Sequence, residues 1–165
     1  EVFDATLLAS YDVVTIMGGT NDYGHGTATL GAISDTKDQN TIYGAVKFLI
    51  DKIQTLKPTI KIVFVTQPFR LQYSTETAPG GYLPNSNGLT MQNIAQAIKE
   101  CASLYGCPVY DFYSLSNWNE LTIKKNLAGN FNDNIYTYDG LHPRQGAGNG
   151  GEMLGQGLAR FINQL

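Results

Sequence analysis

The sequence predicts an α/β domain, a parallel sheet with helices on both faces. Two apolar runs rich in β-branched residues, Asp12–Met17 and Thr59–Thr66, have the composition of buried strands. Stretches with apolar residues at helical spacing alternate with them, and that alternation is the pattern of a parallel sheet. With 165 residues, 42% hydrophobic and 15% charged, the chain is of single-domain size and can bury a sizeable core.

Taken in order, Glu1–Ser10 reads as the end of a short helix, with Val2, Phe3, Leu7 and Leu8 available for one apolar face. Val13–Met17 follows as a central strand covered on both faces, and Gly18 and Gly19 let the backbone turn tightly at its carboxyl end. Asn21 and Asp22 then stand at the sheet edge where open α/β sheets bind ligands. Tyr23–Asn40, rich in Gly, Thr, Asp and Ser, suggests a loop with at most a short helical turn.

Thr41–Leu56 carries Ile42, Ala45, Val46, Leu49, Ile50, Ile53 and Leu56 at helical spacing, and Pro58 closes it. Thr59–Thr66 is the second strand; Gln67-Pro68 ends it at the edge that holds Asn21, so site-facing residues are expected there. Phe69–Gly88 contains turn signals at Pro79-Gly80-Gly81 and Pro84-Asn85 and reads as a surface loop beside the site. Leu89–Tyr105 returns to helical spacing and stops at Gly106, the C′ position that glycine favours. Pro108–Tyr113 is a short third strand, Ser114–Tyr138 an irregular segment anchored by Trp118 and Phe131, and Glu152–Leu165 an amphipathic terminal helix.

A net charge of -3, with no cluster of Lys or Arg, argues against a nucleic-acid partner. The longest apolar runs are far shorter than a membrane span, so no membrane partner is expected. Cys101, late in a helix, and Cys107, opening the next strand, read as two buried free thiols rather than a disulfide. Two histidines and scattered carboxylates fall short of a metal-ligand set, and no cofactor is expected.

Two constellations carry the chemistry: Gly19-Thr20-Asn21-Asp22 after a strand, and Asp139-Gly140-Leu141-His142-Pro143 before the last helix. Alone, the first is ordinary turn chemistry and the second a capped turn. Together, in this order, they resemble the SGNH, or GDSL-type, hydrolases, and the resemblance runs over nearly the whole chain. It implies a flavodoxin-like three-layer sheet and a serine esterase with no cofactor. Asn21 would donate its amide to the oxyanion hole, and Asp139 and His142 would supply two members of a Ser-His-Asp triad. Gly19, Asp22, Tyr23 and Phe69 would lie about the substrate, with Asp22 fixing the loop through backbone hydrogen bonds. Tyr73, Tyr82, Trp118 and Tyr138 would extend an aromatic rim suited to a sugar.

The other D-x-x-H spacing, Asp22 to His25, is disfavoured because His25 sits in a Gly-rich loop, whereas a Pro and a helix follow His142 and hold its imidazole in place. One departure from the family pattern is large. No serine here lies in a G-D-S or G-x-S-x-G setting, so the expected nucleophile lies outside this sequence. A central Val13–Met17 also needs a neighbouring strand that the sequence does not supply. The expectation is an SGNH domain incomplete at its N-terminus and missing its first strand or strands, with a complementary N-terminal segment as partner and a small acyl ester, carbohydrate-linked or not, as substrate. The competing expectation is a non-catalytic carbohydrate-binding or structural module on the same fold.

Overall fold

In the computed structural model the structure describes residues 4–165. Val2 and Phe3 of the expected first helix fall outside them. Their neighbours form α1 (Ala5–Ala9), which the Asp4 carboxylate caps by accepting from the Leu7 N–H at 2.7 Å. Of its apolar residues Leu8 is buried and Leu7 exposed.

Three parallel strands form the sheet: β1 (Val13–Ile16), β2 (Lys61–Val65) and β3 (Val109–Tyr110), in that spatial order. The expectation that Val13–Met17 is covered on both faces is corrected here. β1 lies at the sheet edge, with Val13, Val14 and Ile16 half-buried and Thr15 and Met17 exposed. β2 is the central strand, paired from Val13↔Lys61 to Ile16↔Phe64 on one side and to Val109 and Tyr110 on the other.

The third strand is shorter than Pro108–Tyr113 because the chain turns at Asp111. That carboxylate accepts from Thr66 Oγ1 at 2.8 Å and from Lys99 Nζ at 3.0 Å, while the Tyr113 N–H donates to Thr66 Oγ1. Backbone donors are thereby drawn off the ladder, and α5 (Phe112–Leu115) begins.

The helices follow from spacing and caps. α3 (Ile42–Leu56) starts where the Thr41 hydroxyl accepts from the Gly44 N–H. α4 (Met91–Leu104) starts at a capping box in which Thr90 and Asn93 satisfy each other's backbone N–H groups. Both helices cover one sheet face, where Val46, Ile50, Ile53, Ile94 and Ile98 pack with Ile62 and Phe64 of β2. Truncating fully buried Ile50 or Ile53 to alanine would cost about 2–5 kcal/mol.

On the opposite face Val65 packs with Phe69, Phe112, Trp118, Ile123 and Phe131, joined by Leu154 and Leu158 of α6 (Gly150–Ile162). α6 lies so close to β3 that a Cβ at Gly157 would fall 2.0 Å from the Tyr110 hydroxyl. This is the parallel sheet with helices on both faces that the alternation of strands and helices predicts, and the flavodoxin-like three-layer arrangement that the family resemblance implies.

Cys101 and Cys107 are free and buried. Burial pushes the Cys101 thiol up to about 11 and raises Cys107 as well.

Candidate active site

Gly19 and Gly26 bracket α2 (Thr20–His25), both with positive φ. A Cβ at Gly19 would lie 2.7 Å from Ile94 Cγ2, so only glycine lets the end of β1 turn this close to α4. The turn places Asn21 in the first turn of α2, exposed at the carboxyl edge of the sheet.

At the far end of the sequence, Asp139-Gly140-Leu141-His142 folds on itself. Asp139 Oδ1 accepts from the Leu141 N–H at 2.9 Å and the His142 N–H at 2.7 Å, and Oδ2 lies 2.6 Å from His142 Nδ1. Burial alone would raise the Asp139 carboxyl. The His142 ring and the two backbone donors outweigh it and hold the carboxyl below its ordinary value. The imidazole is flanked by aromatics, with Tyr138 stacked 5.6 Å away and Tyr73 near-perpendicular to it at 5.4 Å.

Asn21 and His142 line one cleft of about 160 Å³, together with Met17, Thr20, Gln67, Pro68, Arg70, Leu141 and Pro143. The two constellations, remote in sequence, thus share a cavity. A larger groove of about 720 Å³ also reaches Asp139, lined by Gln72, Tyr73, Asn130, Phe131, Asn132 and Tyr138 among others.

Other sequence-predicted residues are placed differently. Tyr23 and Phe69 are fully buried, at 0% and 1% exposure, so they anchor packing instead of forming a substrate rim, and the same holds for Trp118. Gly19 and Asp22 line a separate apolar cavity of about 190 Å³ beneath the turn. Among the described residues no backbone N–H donates to Asp22, so the loop-fixing role is corrected. The turn is held by its glycines and by the Tyr23 N–H, which donates to the Gly19 carbonyl at 3.1 Å. His25 is exposed at the end of α2.

Two cleft residues escaped the sequence reading. Gln67 was signalled only by its place at the end of a strand. Its side chain is buried, and neither the nitrogen nor the oxygen finds a partner among the described residues. Arg70, 1% exposed, forms an ion pair with Glu76 and had no signal beyond being a lone cation in a long loop.

Residues 1–146 match the GDSL-like Lipase/Acylhydrolase family. No curated protein matches the sequence. Among solved structures, a Lactobacillus plantarum protein is 26% identical with a TM-score of 0.73, covering 93% of this chain and 67% of that one. A possible lipase from Chitinophaga pinensis, 23% identical, superposes with a TM-score of 0.67 over 98% of this chain and 79% of its own. A GDSL-like lipase from Bacteroides thetaiotaomicron, 18% identical, gives a TM-score of 0.62 over 96% of this chain and 65% of its own; at these last two identities the likeness is one of fold. The match spans most of the chain and contains both constellations: the protein belongs to the GDSL-like lipase and acylhydrolase family.

Proposed function

We propose that the chain forms the oxyanion and base portion of a serine esterase that removes a small acyl group from a carbohydrate. The observation carrying this reading is the 2.6 Å contact of Asp139 Oδ2 with His142 Nδ1, in a turn whose imidazole shares a cleft with Asn21. A proton on Nδ1 leaves Nε2 as the base for a serine hydroxyl, and the carboxylate stabilises the imidazolium that forms. The Asn21 amide then donates to the tetrahedral oxyanion.

The nucleophile would come from a segment upstream of residue 1. The open edge of β1 supports this, because its backbone groups facing away from β2 can pair with one more parallel strand. That strand would deliver a serine to the carboxyl edge beside Met17 and Asn21. The carbohydrate assignment rests on the wide groove next to Asp139. Tyr73 and Tyr138 offer aromatic surface there, and Gln72, Asn130 and Asn132 offer amides suited to hydroxyl groups.

The test is hydrolysis of p-nitrophenyl acetate and of an acetylated oligosaccharide by this chain, with and without the upstream segment. Activity gained with the segment is expected, with preference for the oligosaccharide. A longer chain that bears the serine yet stays inert on both esters overturns the reading.

A further inference from the structure

We propose that Arg70 is the positioning residue that sets the two halves of the site against each other, holding Asn21 at its working distance from His142. Its kinetic consequence rests on the esterase reading; its geometry does not.

Arg70 lies in the loop that leaves β2 and lines the cleft between the two constellations. Its Nη1 donates to the Thr20 carbonyl at 3.1 Å, with the Thr20 hydroxyl at 3.4 Å, directly before Asn21. One residue on, the Leu71 N–H donates at 2.8 Å to the carbonyl of Gly140, directly after Asp139. Two consecutive residues therefore tie the first turn of α2 to the turn that carries the imidazole. Arg70 Nε closes the unit by donating to the Leu71 carbonyl at 3.2 Å.

The guanidinium is itself held from two further sides. It pairs with Glu76, whose side chain is 3% exposed, and lies 5.6 Å from the Tyr23 ring centroid. Tyr23 is pinned in turn, its hydroxyl donating to the Leu83 carbonyl at 2.9 Å and its own carbonyl accepting from Asn85 Nδ2 at 3.0 Å. Two glycines make room for this bridge. A Cβ at Gly24 would strike the Glu76 carboxylate at 2.3 Å, and one at Gly140 would lie 3.3 Å from Leu71 Cβ.

Stability alone does not account for such a device. A buried ion pair is, on average, no more stabilising than apolar residues of similar volume, because desolvation offsets the attraction. What the planar guanidinium adds is direction: it reaches Thr20, Glu76 and Leu71 from donors spread over separate nitrogens in one fixed plane, whereas the three donors of an ammonium rotate about a single point charge. A misplacement on the order of 1 Å at the reacting centre can cost about a hundredfold in rate, so an orienting contact matters more here than its own energy.

Two variants separate positioning from stability, Arg70→Lys and the apolar pair Arg70→Met with Glu76→Leu. With the serine-bearing segment present, Arg70→Lys is expected to lower kcat about tenfold or more with KM within about threefold. The apolar pair is expected to melt close to the parent and still show the kcat loss. In the 165-residue chain, the backbone amide resonances of Asn21 and of His142 should both shift in the Arg70→Lys variant.

A kcat within about threefold of the parent in Arg70→Lys, or resonance changes confined to residues 69–76, overturns the proposal. Recovery of full kcat by the apolar pair also overturns it. Should the pair fail to fold, Arg70→Lys decides alone. If the parent hydrolyses no ester, the esterase reading falls and the resonances decide the positioning role by the same criterion.

Discussion

The two halves of the site are built in opposite ways. The half that carries the imidazole is local: one carboxylate takes two backbone N–H groups and the ring nitrogen within four residues, and two tyrosines flank the ring. Asn21 has no such collar. It stands exposed on a six-residue helix, placed by a glycine turn against Ile94 and by a guanidinium fifty residues away in sequence. The turn makes its central contacts within itself and takes one outside tie, from the Leu71 N–H to the Gly140 carbonyl, whereas a remotely positioned group is only as well placed as the loops that reach it.

The largest expected effect probes the local half. With the nucleophile segment present, His142→Ala should lower kcat on p-nitrophenyl acetate by roughly ten-thousandfold, the scale for loss of a triad member. Asn21→Ala should cost about a hundredfold to a thousandfold in kcat with the melting temperature little changed, since its side chain is exposed. A comparable loss of stability in Asn21→Ala would break the contrast by showing that this half also holds up the fold.

Gly140→Ala sharpens the contrast from the structural side. Gly140 has φ +91°, and a Cβ there would lie 2.9 Å from the Phe131 ring, so a loss of about 1–3 kcal/mol is expected in urea unfolding. The smallest effect concerns pH. The Asp139 carboxyl sits below its ordinary value in the folded state, so it favours folding above the unfolded value near 4. That contribution is lost as pH falls through the lower folded value. Asp139→Asn should flatten this acid limb of the stability profile, and His142→Ala, which removes the ring partner, should flatten it in part.

Much of the fold was legible because burial patterns leave a period in the sequence. Ile42 to Leu56 and Met91 to Cys101 repeat at helical spacing, and Thr41 and Thr90 announce their starts, so both helices fall within a residue or two of where spacing puts them. β1 was legible as a strand that lacks a neighbour in this sequence, but its half-buried faces were not, since Val-Val-Thr-Ile states a need for cover without saying how much of it is met. The third strand was over-read because side chains of Thr66 and Asp111, not local propensity, turn the chain.

In the site, Asp139 and His142 are three residues apart, and a turn can bring such neighbours together with no help from the rest of the fold. Tyr23 and Phe69 were not separable from Tyr73 and Tyr138 by sequence, since an aromatic in a loop can face inward or outward equally well. Arg70 was invisible for a different reason: its partners Thr20, Glu76 and Tyr23 come together only after the loop has folded.

The two buried cysteines have a practical consequence. Burial pushes the Cys101 thiol up to about 11 and raises Cys107 as well, so both are held toward the protonated form at neutral pH. Maleimides and other alkylating labels attack thiolates, so the native chain should be almost inert to them. A single cysteine introduced at exposed Tyr138 or Met17 would then take up a fluorophore or spin label selectively, and this protein is suited to distance measurements across its own cleft.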